Sequence, residues 1–462
     1  MPARFNLLPA PIAPLLLGSF IVFCYFSLVF FDAKLAFLVN TGWFTGHQVD
    51  SDDLVFKRLI YKHFSDSKRP PVGLLRADRD FQIGAFTSLA EYRERYADFP
   101  ALSLPGNAER YTSQIGLQPL ILYPAYWYSF LSSNPDTAKK LYRGAKGAVV
   151  IVVVLNALVM TALVLWISRE LSSATAAFFA LALPTLAPWL VVFGHSVYWM
   201  LWSWFVPFLI TLWGWRQIAL GQARKHMPAV MYAALFLSFV LKMSMGYEYI
   251  SAISLAASTP VFYYGIRDRW EKIKLLFHIA LTGLMSVGAF VVTVLLHAAF
   301  LMTTQALTFT DSLSVIYSRF AVRSWEAFVN IEEINHDVVK ASLTSGPFGV
   351  LWKYFFGGPP PWEIFIMLPT VAVALWYNFS SSRYNDEKAA VRNVYALSFA
   401  AAYALLAPLS HFIIMKGHSY IHYHMNYVLW NLPLNIFCLL IIIHCFTSRL
   451  SLTVAWRVKS GV

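Results

Sequence analysis

The segment PIAPLLLGSFIVFCYFSLVFF (residues 11–31) is apolar along its whole length and carries no charged side chain. About 20 such residues in a helix cross the hydrocarbon core of a bilayer. The segment is longer than a signal-peptide core and lacks a small-x-small cleavage site, so we expect a retained span. Shortly after it comes HQVDSDDLVFKRL (residues 47–59), which crowds Asp50, Asp52 and Asp53 together. Carboxylates at a membrane edge are costly unless they are solvated or paired, so these three need an explanation.

Apolar runs of similar length recur along the chain. Of its 462 residues, 58% are hydrophobic and 13% are charged, whereas soluble domains average about 25% charged residues. The three cysteines have neither disulfide nor zinc-ligand spacing, so nothing indicates a redox function. We predict an all-α polytopic membrane protein with about ten transmembrane helices, at residues 11–34, 145–168, 172–192, 196–215, 228–246, 249–266, 274–300, 362–379, 393–414 and 425–446.

Basic residues are distributed unevenly in this predicted topology. With the N-terminus in the cytoplasm, the short inner connections carry eleven Lys and Arg residues, and the short outer ones carry only Lys242 and Lys416. This asymmetry follows the positive-inside rule. We therefore expect both termini in the cytoplasm, and we attribute the net charge of +12 to topology rather than to nucleic-acid binding. Two long loops, 35–144 and 301–361, then lie outside the cytoplasm. The chain divides into residues 1–300 with the first long loop, 301–361 (the second long loop) and a membrane module at 362–462.

Titratable residues concentrate at the predicted outer ends of the spans. The stretch FGHSVYWMLWSWF (193–205) carries His195 and Tyr198, and LKMSMGYEYIS (241–251) carries Lys242 and Glu248. The connection between the last two spans is richer still, with His411, Lys416, His418, His422 and His424. This distribution favours a site at the extracytoplasmic face of the membrane.

Each of these features also has a simpler interpretation. Ser51 or Asp52 could cap a helix LVFKRLIYKHF, because side-chain oxygens accept hydrogen bonds from free N–H groups at a helix start. His418 and His422 are four residues apart and could contact phosphate or fill a membrane interface. A metal site is disfavoured because His424 would lie off their helix face. Arg319 and Arg323 have the same spacing in the second long loop, where an exposed helix face is the simpler expectation.

The arrangement of one span, then a long outer loop with an acidic pair, resembles integral-membrane glycosyltransferases of the GT-C fold. Asp52-Asp53-Leu-Val-Phe stands where those enzymes carry their acidic motif, and YTSQIGLQPL (111–120), with Gln114 and Gln118, is similar to a pattern late in the first loop of some bacterial members. The segment KGHSYIHYHMNY is similar to His-rich outer connections of the protein mannosyltransferases. The resemblance covers the first six or seven spans. The pair is Asp-Asp rather than Asp-Glu, and no Trp-Trp-Asp sequence of the oligosaccharyltransferases occurs.

This resemblance implies a transferase that moves one sugar from a polyprenyl-phosphate donor to a glycan, lipid or protein acceptor. We expect it in the bacterial inner membrane, with the site facing the periplasm, an inverting reaction, and no cofactor or metal. Asp53 is the first choice for the general base, then Asp52, with Asp50 in reserve; such a base is typically worth about 10²–10⁴-fold in rate. The expected donor-phosphate and substrate contacts are Lys416, His418, His422, Arg76, Arg323, Lys242, Glu248, His195, Tyr198, Gln114 and Gln118.

Other functions remain open. An O-antigen-type polymerase is expected to handle pyrophosphate lipids with arginines from two outer loops, but its main loop comes later in the chain than the larger loop here. A transporter or glycolipid flippase tends to show internal repeats and polar groups near the midplane. The sequence has no evident repeat, and its polar residues lie at span ends. A non-catalytic scaffold is the remaining alternative.

Overall fold

The computed structural model describes residues 12–26, 41–64, 70–77, 89–90, 108–325, 330–334, 337–356, 369–370, 372–373, 376 and 388–460. Within these residues, four helices are long and apolar enough to cross a membrane, and a bent pair, Met425–Asn431 with Leu434–Ser448, makes a fifth candidate. The chain is therefore a helical membrane protein, as its composition predicts.

The first half of the bundle contains the longest helices. Asp136 caps the helix that begins at Thr137 by accepting from the Lys139 N–H at 3.0 Å. Ser172 caps the helix that begins at Ser173 by accepting from the Thr175 N–H at 3.0 Å. The helices up to the second long loop are α1 (Ile12–Tyr25), α2 (Thr41–Phe64), α3 (Gln118–Phe130), α4 (Thr137–Glu170), α5 (Ser173–Leu186), α6 (Pro188–Phe193), α7 (Trp202–Ala219), α8 (Met227–Met245), α9 (Ile250–Arg267) and α10 (Lys272–Gln305).

The second long loop and the C-terminal module are helical as well where they are described. Their helices are α11 (Phe309–Ala321), α12 (Asp337–Thr344), α13 (Pro347–Phe356), α14 (Lys388–Ala404), α15 (Leu406–Ile414), α16 (Lys416–Ile421) and α17 (Leu434–Ser460), with 3₁₀ segments at Ile331–Glu333 and Tyr423–Asn431. Helix α9 lies at the centre, packed against α7, α10 and α14, and α14 packs in turn on α17.

Several predicted spans differ in detail from the helices. The predicted span 172–192 is broken into α5 and α6 at Pro188, because proline lacks an N–H and cannot continue the hydrogen-bond ladder. The predicted span 425–446 begins as a 3₁₀ segment before α17. Of the predicted span 362–379, only residues 369–370, 372–373 and 376 are described. A span at 11–34 is represented by α1, which is too short to be counted among the long membrane helices.

The first long loop has structure that the sequence did not predict. Strands β1 (Leu74–Ala77) and β2 (Ala108–Tyr111) pair antiparallel, with Leu75 opposite Arg110. Gly116, at φ +75°, then turns the chain back, and its carbonyl accepts from the Gly73 N–H at 2.9 Å. A side chain at Gly116 would meet both the Leu74 side chain and backbone. Helix α3 follows and packs on α4.

An ion network closes the end of the bundle opposite the two long loops. The side chain of Glu170, at the end of α4, is 4% exposed and pairs with Arg216 Nε at 3.2 Å and with Arg267. Arg216 and Arg267 lie at the last turns of α7 and α9. One buried carboxylate therefore fastens three helix ends together.

Candidate functional site

The acidic cluster lies in the middle of α2, not at a helix start. Helix α2 begins at Thr41, so the predicted N-cap at Ser51 or Asp52 is wrong. The prediction failed because the upstream residues TGWFTGHQVD are themselves helical, so that Ser51 and Asp52 lie inside the helix. The Asp50 backbone belongs to this helix, and its side chain lies outside the described residues.

Asp52 holds the connection between α6 and α7. Its Oδ1 accepts from Ser196 Oγ at 2.6 Å and from the Tyr198 backbone N–H at 2.9 Å. The Asp52 side chain is fully buried, whereas Asp53, its buried neighbour, forms an ion pair with Lys57 one turn further along α2. These contacts give both carboxylates partners inside the protein, as a buried charge requires.

Tyr198 stands at the centre of a buried polar network. Its hydroxyl lies 3.2 Å from Gln114 Oε1 and 3.3 Å from Glu248 Oε1. Burial and the nearby Glu248 carboxylate raise the pKa of the Tyr198 phenol. The hydroxyl is therefore protonated and able to donate at physiological pH.

The two predicted glutamines join the first long loop to the connection between α8 and α9. The Gln114 amide donates to the Met245 carbonyl at 2.6 Å, and the Gln118 amide donates to the Tyr198 carbonyl at 2.9 Å. Lys242 lies in the last turn of α8, and its ammonium donates to the Gly246 carbonyl at 2.6 Å. These contacts are with backbone carbonyls, so they place the loop over the bundle.

Four arginines from the two long loops surround one pocket of about 110 Å³. Arg76 comes from β1 and Arg110 from β2, whereas Arg319 lies on α11 and Arg323 just after it. The Arg323 guanidinium donates to the Tyr111 hydroxyl at 3.3 Å. Burial disfavours its charge, but Tyr111 and Glu248 outweigh burial and raise the pKa of Arg323. The remaining lining residues are Tyr111, Thr112 and Ser113, and no carboxylate is among the lining side chains that the structure describes.

The His-rich segment supports this pocket through its backbone. The His418 N–H donates to the Arg323 carbonyl at 2.8 Å, and the Gly417 N–H donates to the Ser324 carbonyl at 3.0 Å. A Cβ at Gly417 would lie 3.2 Å from the Arg323 carbonyl carbon and oxygen. Only glycine therefore lets the two backbones approach this closely without a shift.

The side chains of that segment that the structure describes do not line the pocket. The Lys416 ammonium donates to the carbonyls of Leu343 and, at 2.7 Å, Ser345, so it neutralises the C-terminal end of α12. The His418 ring lies 4.8 Å from the His422 ring and 5.8 Å from that of His411, centroid to centroid. Burial, and then the neighbouring His422, lower the pKa of His418. Among the described residues no group of three or more His, Cys, Asp or Glu side chains is arranged to hold a metal ion.

His195 is the remaining predicted site residue. It is buried in the connection between α6 and α7, and burial together with Lys146 lowers its pKa to about 4. The imidazole is neutral at physiological pH. It does not belong to the pocket lining.

The structure thus joins two distant parts of the chain without placing all predicted groups in one cavity. Asp52 holds the segment that carries Tyr198, and the His-rich segment holds the backbone of Arg323. Of the predicted contacts, Arg76 and Arg323 line the pocket. Arg110 and Arg319 were missed. The four-residue spacing of Arg319 and Arg323 was a usable signal, whereas nothing local in the sequence pairs Arg110 with Arg76.

Chemically, the pocket is suited to anions. Guanidinium groups bind phosphate oxygens through paired N–H donors, and Thr112 and Ser113 add hydroxyls. No protein-family model, no curated protein and no solved structure matches the chain.

Proposed function

We propose that this protein is a membrane glycosyltransferase of the GT-C type that takes a sugar from a polyprenyl-phosphate donor. The observation that carries the proposal is the pocket of four arginines beside a buried network of tyrosine and carboxylate. A lipid-linked donor suits a helical membrane protein, because its isoprenoid tail stays in the bilayer while its phosphate is held at the membrane surface.

The arginines bind the donor phosphate and stabilise the charge that grows on it as the bond to the sugar breaks. Stabilisation of this kind by a preorganised donor is worth about 10²–10³ in rate per group removed. Arg323 is the best placed of the four, because it is half-buried and bound to Tyr111. The arginines do this in place of a metal ion, and the reaction inverts the anomeric carbon through direct attack by the acceptor hydroxyl.

The acceptor hydroxyl needs a base, and three described carboxylates are candidates. Asp52 already accepts two hydrogen bonds and Asp53 is paired with Lys57. Glu248 instead shares the Tyr198 hydroxyl with Gln114, and it acts electrostatically on Arg323 in the pocket wall. We therefore propose Glu248 as the general base, in place of Asp53, which was the first choice from the sequence.

The finer topology belongs to the same proposal. About ten spans with both termini in the cytoplasm place the two long loops, and hence the pocket, on the periplasmic side of a bacterial inner membrane. The acceptor is a glycan, a lipid or a protein. The distribution of basic residues and the meeting of the two long loops at one end of the bundle support this orientation.

The test is a transfer assay with the purified protein in lipid nanodiscs and radiolabelled polyprenyl-phosphate sugars. Arg323→Ala is expected to lower transfer about 100-fold, and Glu248→Gln about 100-fold or more. Arg143→Ala removes an exposed arginine outside the pocket and is the matched control. Wild-type protein that transfers no sugar from any such donor, while remaining folded, contradicts the proposal.

A second candidate, an O-antigen-type polymerase, is favoured by one observation. The arginines come from both long loops, as expected for handling a pyrophosphate lipid. The same assay with polyprenyl-diphosphate oligosaccharides separates the two functions. Chain elongation from the diphosphate donor, with no transfer from the monophosphate donor, selects the polymerase.

A further inference from the structure

Helix α13 (Pro347–Phe356) exposes an aromatic stripe that the bundle leaves uncovered. Phe348 is 87% exposed, Trp352 67% and Phe356 66%, and the three are spaced four residues apart. Residues at this spacing lie on one face of a helix. The Trp352 and Phe356 rings lie 4.3 Å apart, centroid to centroid, so the stripe is continuous there.

The rest of the same helix is attached to the protein: Val350, on the face away from the stripe, is buried. The Lys353 ammonium lies 3.6 Å from the centre of the Tyr420 ring and 5.1 Å from that of Tyr423. Lys353 is the only charged residue of α13, and it lies at the flank of the stripe, over these rings. The exposed face is therefore aromatic and uncharged.

The chain itself keeps α13 close to the bilayer. Its packing partner α16 lies between a candidate span that ends at Ile414 and another that begins at Met425. On the other side, only GGPPP (357–361) separates Phe356 from the predicted span 362–379. Five residues reach about 18 Å at most when fully extended. The contact with α16 and the short connection to the predicted span 362–379 thus both hold the stripe at membrane level.

We propose that α13 lies on the membrane surface and inserts Phe348, Trp352 and Phe356 into the headgroup–acyl boundary of the leaflet on the side of the arginine pocket. Short helices with one aromatic face bind lipid in this way, and tryptophan favours that depth. Because α16 contacts α13 and also holds the backbone of Arg323, this insertion fixes the height of the pocket above the lipid. The inference does not depend on the reaction that the protein catalyses.

The test uses the full-length protein in phosphatidylcholine nanodiscs, with Cys24, Cys438 and Cys445 replaced by alanine. A single cysteine at Phe348→Cys, or in a second variant at Trp352→Cys, carries an environment-sensitive fluorophore. Leu284→Cys, on the exposed face of α10, is the control inside the bilayer, and Gln222→Cys, in the exposed connection after α7, is the control in water.

Quenching by nitroxide lipids and by aqueous iodide then reports the depth of each label. At positions 348 and 352 we expect strong quenching by a headgroup-proximal nitroxide and an iodide quenching constant about threefold or more below that at 222. Iodide quenching equal to that at 222, with no effect of nitroxide lipids at either position, overturns the proposal. Shielding from iodide that depends on protein concentration, without lipid quenching, also overturns it and identifies a second copy of the chain as the occupant.

Discussion

The replacement Asp52→Asn is expected to unfold the protein more easily rather than only to slow a reaction. Asp52 is fully buried, and one of its two carboxylate oxygens, Oδ1, accepts hydrogen bonds from both the Ser196 hydroxyl and the Tyr198 N–H. A hydrogen bond to a charged group contributes about 1.5–3 kcal/mol to stability, against about 0.5–1.5 kcal/mol for a neutral pair. Asparagine keeps an oxygen at this place but loses the charge. The two bonds together should therefore lose about 2 kcal/mol, or about 30-fold in the unfolding equilibrium constant.

The prediction is best measured as a double-mutant cycle with Ser196→Ala. Reversible unfolding by sodium dodecyl sulfate, followed by tryptophan fluorescence, gives the free energy for each variant. In the Ser196→Ala background, Asp52→Asn should cost about 1 kcal/mol less than in the wild type, because one of its partners is already gone. Glu332→Gln changes an exposed carboxylate away from the network and should stay within about 0.5 kcal/mol of the wild type.

Two outcomes contradict this reasoning. Additive effects of the two changes mean that the Ser196 hydroxyl and the Asp52 carboxylate do not interact. An Asp52→Asn protein that is as stable as the wild type but inactive indicates that Asp52 has a catalytic role, as the sequence first suggested.

Three further predictions concern other parts of the structure. Glu170→Gln leaves the buried Arg216 guanidinium without its carboxylate, whereas Arg267 keeps Asp268 as a partner. The change should cost about 3 kcal/mol in the same unfolding assay, and a loss below about 1 kcal/mol contradicts the ion network. Gly417→Ala should push back the Arg323 carbonyl and weaken phosphate binding about tenfold by calorimetry, whereas Gly349→Ala, where a Cβ meets only a side-chain atom at 4.0 Å, should bind normally. His418 has a lowered pKa when folded, so below about pH 6.5 the unfolded chain takes up a proton that the folded chain refuses. Stability should fall as the pH drops from 7 to 5, and less steeply in His418→Gln; equal slopes contradict the burial of a neutral imidazole.

Helix content and membrane character follow from local sequence. Apolar runs such as Val149–Ile167 are long, uncharged and capped by Asp136 upstream, so no tertiary contact is needed to predict a membrane helix there. The positions of the polar span ends were also readable, because Tyr198, Lys242 and Glu248 interrupt apolar stretches. Breaks such as the one at Pro188 have a local cause as well, although the prediction placed one continuous span across it.

The role of the acidic cluster could not be predicted from the local sequence. The three aspartates carry the signature of a helix start, yet α2 begins at Thr41. Whether a carboxylate at position 52 is solvated, catalytic or structural depends on Ser196 and Tyr198, which are more than 140 residues away. The same limit applies to Lys416, whose partners are carbonyls of α12.

The sequence by itself therefore determined that this chain lies in a lipid bilayer. The length of its apolar runs and the placement of its basic residues indicate this. Only the tertiary structure decided which polar groups meet. The arginine pocket brings β1, β2 and the end of α11 together across more than 200 residues of chain. The physical reason is that burial in lipid depends on the average character of a segment, whereas a binding site depends on a few side chains whose distances are set by packing between segments.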